Sequence, residues 1–287
     1  MKWQLRERSL DLSVPRVMGI LNITPDSFSD GGNYLDPHRA LERAVQIQGE
    51  GADVIDIGAE STRPGAVPVS ISEEWSRLEA VLKKLVGKIH LPISVDTRNS
   101  EVARRALEYG VEIINDISGG RDPQMLKVVA EAGCGYVLMH MRGEPNNMME
   151  FARYRDVTEE VQKELTESVE QAVSAGISPE KICVDPGFGF AKEVGDSLNL
   201  FLHLEIFRRW NFPLLVGLSR KRLLRAIAGE EPQALQAASV AAALWAVGKG
   251  AHIVRVHDVA PTVAVLQSYG LLTKGGESPI DSPVDLT

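Results

Sequence analysis

The chain has 287 residues, 44% of them hydrophobic and 24% charged, with a net charge of −8. That is ordinary globular composition with enough apolar residues for a sizeable core, and one parallel α/β barrel typically takes about 250 residues. The acidic balance excludes a general nucleic-acid or anionic-membrane binder, so an anionic substrate must meet a local cationic pocket.

Short apolar runs alternate with longer amphipathic segments along the whole chain. The predicted strands are 17–22 (VMGILN), 54–59 (VIDIGA), 93–97 (ISVDT), 113–117 (IINDI), 136–140 (YVLMH), 182–187 (ICVDPG), 214–219 (LLVGLS) and 253–258 (IVRVHD). Helical spacing marks 37–51, 72–88, 100–110 and 156–176. Gly51, Gly110, Gly133, Gly176 and Gly250 stand where helices should stop. Strands that are apolar throughout belong to a parallel sheet covered on both faces. Eight β-then-α units, with polar residues recurring at the strands' carboxyl ends, favour a closed barrel over an open doubly wound sheet. The expected architecture is a single-domain (β/α)8 barrel over 1–275, with two long flexible loops after strands 1 and 2 and a loosely ordered tail at 276–287.

Alternation along a strand groups Met18, Ile20 and Asn22; Ser94 and Asp96; Ile113 and Asn115; Cys183 and Asp185; and Ile253, Arg255 and His257. Each inward face thus ends in a polar group, with Asp56 slightly deeper in its run. Asp96, Asn115, Asp185, Lys221 and Arg255 at one barrel end carry many donors and acceptors, which a flat polar ligand would satisfy. The loop at 22–34 carries Asn22, Asp26, Ser29 and Asp30, oxygen ligands suited to Mg²⁺. The loop at 59–70 carries Thr62 and Arg63, a hydroxyl and a forked cation suited to pyrophosphate. In SRKR, at a strand-to-helix turn, Lys221 and Arg222 with backbone N–H groups form a candidate anion nest.

Cys134 and Cys183 form no CxxC or Cys/His cluster, so neither zinc nor a disulfide framework is expected. The amino terminus is too charged for a signal peptide, and the apolar run at 237–247 is about half a membrane span. A cytoplasmic protein is therefore expected. The Ala-rich run 237–248 reads as a close-packed helix, either core or interface.

GILNITPDSFSDGG (19–32) and VIDIGAESTRPGA (54–66), followed in order by ISVDT, IINDISGG, LMHMRG, DPGFGF, GLSRK and IVRVHDV, resemble the dihydropteroate synthase family of folate biosynthesis. The resemblance covers nearly the whole chain, and the first two motifs are long enough to be highly specific. It implies a homodimeric, Mg²⁺-dependent transferase that joins a reduced pterin pyrophosphate to p-aminobenzoate. It further implies that Asp96, Asn115, Asp185 and Lys221 hold the pterin, Met139 and Phe190 line its slot, and Arg255 lies against the ring. Asn22, Thr62, Arg63, Arg255 and His257 would hold the pyrophosphate, with Asn22 on Mg²⁺. Phe28, Pro64, Phe190 and Lys221 would shape the p-aminobenzoate pocket, a site that sulfonamides would share. Arg222 departs from relatives that carry Ser after the Lys. Two other readings are a folate-binding methyltransferase barrel, which leaves STRPGA and RVHD without a purpose, and a catalytically silent pterin-binding barrel, which should show damage at Asn22, Arg63, Asp96 or Lys221.

Overall fold

The computed structural model describes residues 1–23, 36–63 and 65–273. Eight parallel strands form a barrel: β3 (Arg16–Asn22), β4 (Val54–Gly58), β5 (Ile93–Asp96), β6 (Ile113–Asp116), β7 (Gly135–Met139), β8 (Ile182–Asp185), β9 (Leu215–Val216) and β10 (Ile253–Val256). Neighbours pair in chain order, and β10 pairs with both β3 and β9. The ring closes between β8 and β9 through a single parallel bridge, Val184 to Leu214, with Val184 N–H donating to the Pro213 carbonyl at 2.9 Å.

Among the described residues nine helices surround the barrel: α1 (Pro37–Gly49), α2 (Ile71–Leu85), α3 (Ser100–Glu108), α4 (Met125–Ala132), α5 (Val157–Ser174), α6 (Val194–Leu202), α7 (Arg222–Ala228), α8 (Pro232–Gly248) and α9 (Val259–Thr273). Their starts follow capping chemistry: the Asp36, Ser70 and Asp156 side chains each accept a first-turn N–H. The five expected stop glycines all have positive φ, between 58° and 108°. The strands' outward residues, among them Leu21, Ile57, Val95, Ile114, Leu138 and Val184, join the helices in one large core. None of the helices among the described residues is long and apolar enough to cross a membrane.

Two strand expectations change. The run 214–219 contributes only Leu215–Val216 as strand, because the chain leaves the sheet at Gly217 and turns through Arg220, at φ 57°, into α7. Before the barrel, a hairpin of β1 (Lys2–Gln4) and β2 (Ser9–Asp11) was not expected. It plugs the amino-terminal end: Trp3, Leu5 and Leu12 pack on the inward Met18, Val54, Ile113, Val137, Cys183, Leu215 and Ile253. Trp3 Nε1 donates to the Lys181 carbonyl at 2.8 Å, and Lys181 Nζ returns a bond to the Leu5 carbonyl at 2.9 Å. The Ala-rich helix α8 turns Leu235, Ser239, Ala242, Ala243 and Ala246 to the core and leaves Trp245 on the surface.

Candidate active site

Four of the seven inward faces that are apolar at the floor become polar two residues further on, at Asp56, Asn115, Asp185 and Arg255. Pairing sets Asn22 opposite Gly58, Gly58 opposite Asp96, and Asp96 opposite Asn115, so one row at the barrel mouth carries three polar side chains. Gly58 contributes no side chain to that row; a Cβ there would lie 3.6 Å from Asp96 Cβ and 3.7 Å from Asn22 Oδ1.

Arg255 is the hub. Its Nε donates to Asp56 Oδ2 at 2.6 Å and its Nη2 to Asp96 Oδ2 at 2.8 Å, while Asn115 Nδ2 also donates to Asp56 Oδ2 at 3.1 Å. Burial works against the Arg255 charge, but Asp56 and Asp96 beside it outweigh this and hold its pKa above the ordinary arginine value. Burial pushes Asp96 up to about 7 against the pull of Arg255, and the like charge of Asp56 adds to the rise. Asp96 Oδ1 and Asp56 Oδ1 are buried without a hydrogen-bond partner. An orphaned buried acceptor is costly, on the order of 1–3 kcal/mol, unless a ligand donor reaches it.

Across the mouth, Asp185 is buried, and burial raises its pKa against the pull of Lys221. Its Oδ1 accepts from Gly187 N–H at 2.8 Å, which starts the tight turn after β8. Only glycine fits at 187: φ is 69°, and a Cβ would lie 1.9 Å from the His140 carbonyl oxygen. Lys221 donates to the Phe188 carbonyl at 2.7 Å and sits 4.4 Å above the Phe190 ring. Burial lowers its pKa to about 8, with Asp185 opposing. Met139 and Phe190 belong to one apolar wall with Ile117, Met141, Met148 and Ala191. The last four were not singled out in the sequence; Met141 and Met148 come from the connection after β7, whose path strand periodicity does not describe.

The Ser219 hydroxyl hydrogen-bonds His257 Nδ1 at 3.0 Å and also accepts the His257 backbone N–H at 3.2 Å. Burial, reinforced by the Arg255 charge, lowers the imidazole pKa to about 3. His257 is therefore neutral near pH 7 and can offer a hydrogen bond without a charge.

At the expected anion nest the Lys221 and Arg222 side chains diverge. Lys221 turns to the Phe188 carbonyl, whereas Arg222 pairs with Glu193 at 3.0 Å on the surface. The Lys221 backbone N–H is also taken, by the Leu218 carbonyl at 3.1 Å.

The second loop is tied down by groups that the motifs did not reveal. Glu60 forms a two-pronged pair with Arg98 (3.1 and 3.2 Å), Arg98 reaches on to Glu144, and Gly65 N–H donates to the Pro145 carbonyl at 3.1 Å. Arg63 is exposed, in a turn closed by Ala66 N–H to its carbonyl at 3.0 Å, and Thr62 is half-buried. Phe28 and Pro64 lie outside the described residues, as do Asp26, Ser29, Asp30 and the tail 276–287. Among the described residues no cluster of three or more His, Cys, Asp or Glu is arranged to hold a metal ion. Among the described residues Asn22 offers one exposed amide oxygen at the end of β3, an oxygen ligand of the kind that suits Mg²⁺.

A barrel whose strand ends converge on buried carboxylates, an amide, two cations and a flat apolar wall defines an enzyme built for a planar, nitrogen-rich heterocycle. A family model described as "Pterin binding enzyme" matches residues 18–257. Dihydropteroate synthase of Escherichia coli (strain K12) is 43% identical over 267 residues, covering 93% of this chain and 95% of that protein. The structure of Xanthomonas albilineans dihydropteroate synthase with 4-aminobenzoic acid superposes with a TM-score of 0.89 at 43% identity, covering 95% of this chain and 98% of that one. That of the Yersinia pestis enzyme in a sulfonamide drug complex gives 0.90 at 40% identity, covering 96% and 100%. The chain belongs to the dihydropteroate synthase family of pterin-binding transferases.

Proposed function

We propose that this chain condenses 6-hydroxymethyl-7,8-dihydropterin pyrophosphate with p-aminobenzoate, releasing pyrophosphate and 7,8-dihydropteroate. The observation that carries the reading is Arg255 bound between Asp56 and Asp96, with the second Asp96 oxygen lacking a donor at the mouth. Asp96 and Asp185 would accept the pterin's N–H groups, Asn115 and Lys221 would meet its carbonyl and ring nitrogens, and Met139 and Phe190 would sandwich the ring against Arg255.

Loss of pyrophosphate from the methylene leaves positive charge that the electron-rich pterin delocalises, so no covalent nucleophile is needed. The ionised Asp96 stabilises that cation, and Arg63, Arg255, Thr62 and His257 hold the leaving group. Asn22 would hold Mg²⁺ together with the pyrophosphate's own oxygens, and the bound ion supplies charge neutralisation there. The arylamine then attacks the methylene carbon and loses a proton, oriented by a pocket that includes Phe28, Pro64, Phe190 and Lys221. The same pocket would admit sulfonamides as competitors of p-aminobenzoate.

The reading implies a cytoplasmic enzyme. The exposed Trp245 on α8 and Ile227 on α7 support a homodimer, to be checked by mass in solution. The deciding assay is pyrophosphate release with Mg²⁺, the pterin pyrophosphate and p-aminobenzoate together. Release that requires all three is expected; none with all three present refutes the proposal.

A further inference from the structure

Lys192 is buried (1% exposed) behind the loop that follows β8, where the charges of Asp185 and Lys221 still act on it. Its Nζ has three acceptors: His140 Nδ1 at 2.8 Å, the Gly187 carbonyl at 3.0 Å and the Phe190 carbonyl at 3.0 Å. His140 Nε2 faces Glu164, held ionised by Arg142, and so carries the ring proton; burial disfavours a second one, which leaves Nδ1 as an acceptor and matches the three N–H donors of an ammonium. The Nε2 proton is donated to Glu164 Oε2 at 2.9 Å. Glu164 in turn is paired with Arg142. The buried positive charge is thus balanced by Glu164 through a neutral imidazole.

Each of these bonds bears on the pterin loop. Lys192 holds the Gly187 and Phe190 carbonyls, Lys221 holds that of Phe188, and the Tyr154 hydroxyl holds that of Ala191 at 2.9 Å. Ala191 has φ 48°, a left-handed backbone that a non-glycine residue keeps only where its surroundings impose it. A pterin meeting Lys221 would compete for the ammonium that restrains Phe188, while the three N–H groups of the buried Lys192 are all committed to protein acceptors.

We infer that Lys192, as a buried ammonium balanced through His140 by Glu164, is a positioning residue that keeps the loop 186–191 shaped for the pterin while Lys221 engages substrate. The inference rests on the pterin-site reading above. The groups facing Lys192 are Asp185 from β8, Lys221 after β9, Glu164 from α5, and His140, Arg142 and Tyr154 from the connection after β7. Burial lowers the Lys192 pKa to about 7, with Asp185 and Glu164 opposing and Lys221 and Arg142 adding to the fall. The ammonium, and with it pterin affinity, is therefore lost as pH rises through that value.

The test is calorimetric titration of the full chain with the pterin pyrophosphate across pH, together with steady-state kinetics. Lys192→Met should raise the KM for the pterin pyrophosphate by about tenfold or more, with kcat and the KM for p-aminobenzoate changed by less than about threefold. Glu164→Gln keeps an acceptor for His140 but removes the balancing charge, so the alkaline decline of pterin affinity should move by about one pH unit to lower pH. That shift reads Lys192 and not Lys221, on which the acting charges are those of Asp185, Arg255 and Asp96. Pterin affinity within about twofold of wild type in Lys192→Met, or an unmoved pH midpoint in Glu164→Gln, overturns the inference. Should Lys192→Met not fold, the Glu164→Gln midpoint decides alone. Asp185→Asn serves as the control: unchanged pterin affinity there overturns the site reading itself, whereas lost affinity beside two silent variants overturns only the role of Lys192.

Discussion

The two ends of the barrel interior are built from the same strands and the same residue parity, yet they obey opposite rules. At the floor, Trp3 and Leu5 from the hairpin seal an inward layer of Met18, Val54, Ile113, Val137, Cys183, Leu215 and Ile253. At the mouth the same faces carry Asp56, Asp96, Asn115, Asp185 and Arg255, two of whose carboxylate oxygens lack a partner. Burial at the floor is stabilising without any ligand. Burial at the mouth is unfavourable until a ligand brings donors, and the rest of the fold must offset that cost. The stability of this protein and its chemistry are thus separable along one axis.

The sharpest way to break that separation is at the floor. Trp3→Ala should cost about 3–5 kcal/mol in urea unfolding while kcat of the folded fraction stays near wild type. A large loss of kcat would show that the two ends are coupled. Next is pH. His140 is held neutral by burial, its pKa lowered to about 4, so the unfolded chain takes up this proton first as pH falls below about 6.5. The stabilising effect of neutral His140 is therefore complete above about 6.5 and disappears toward pH 4. The Asp96 shift acts in the opposite direction, so the comparison must be with a variant. The stability advantage of wild type over His140→Gln should shrink by about 3 kcal/mol between those limits. A pH-independent gap would refute the assignment.

At the mouth, Asp96→Asn should lower turnover by about 10² or more with unfolding nearly unchanged, as expected for one preorganised electrostatic group. A wild-type rate would remove Asp96 from the chemistry. The smallest effect is expected at the clasp. Arg98→Ala releases Glu60 and Glu144 and should raise the KM for p-aminobenzoate about three- to tenfold with little change in kcat. An unchanged KM would mean that the loop holding Thr62 and Arg63 needs no tether.

Much of this was legible in the sequence. Strands buried on both faces read as unbroken apolar runs, and period-two alternation alone separated Met18, Asp96, Asn115 and Asp185 from the outward Leu21, Val95 and Ile114. What escaped has physical reasons. The strands of the hairpin, KWQ and SLD, are too short and too polar for periodicity, and their burial depends on the barrel floor they cover. The pairing of Arg255 with both Asp56 and Asp96 joins strands far apart in the chain. Lys192, His140 and Glu164 meet because a loop, a strand end and a helix fold over one another, which no local spacing encodes. The neutrality of His257 follows from desolvation beside Arg255, a property of the assembled site.

The closure between β8 and β9 has a mechanical consequence. Seven of the eight junctions are continuous ladders, but this one is a lone bridge between Val184 and Leu214. The segments leaving its two sides carry Phe190 and Lys221, so a slight widening at that weak hoop would part the jaws that grip the heterocycle while the other staves remain intact. Amide exchange at Val184 should then outpace that at Val95 or Ile114, and a bound pterin should slow it selectively; equal rates at the three positions would indicate a uniformly rigid cylinder.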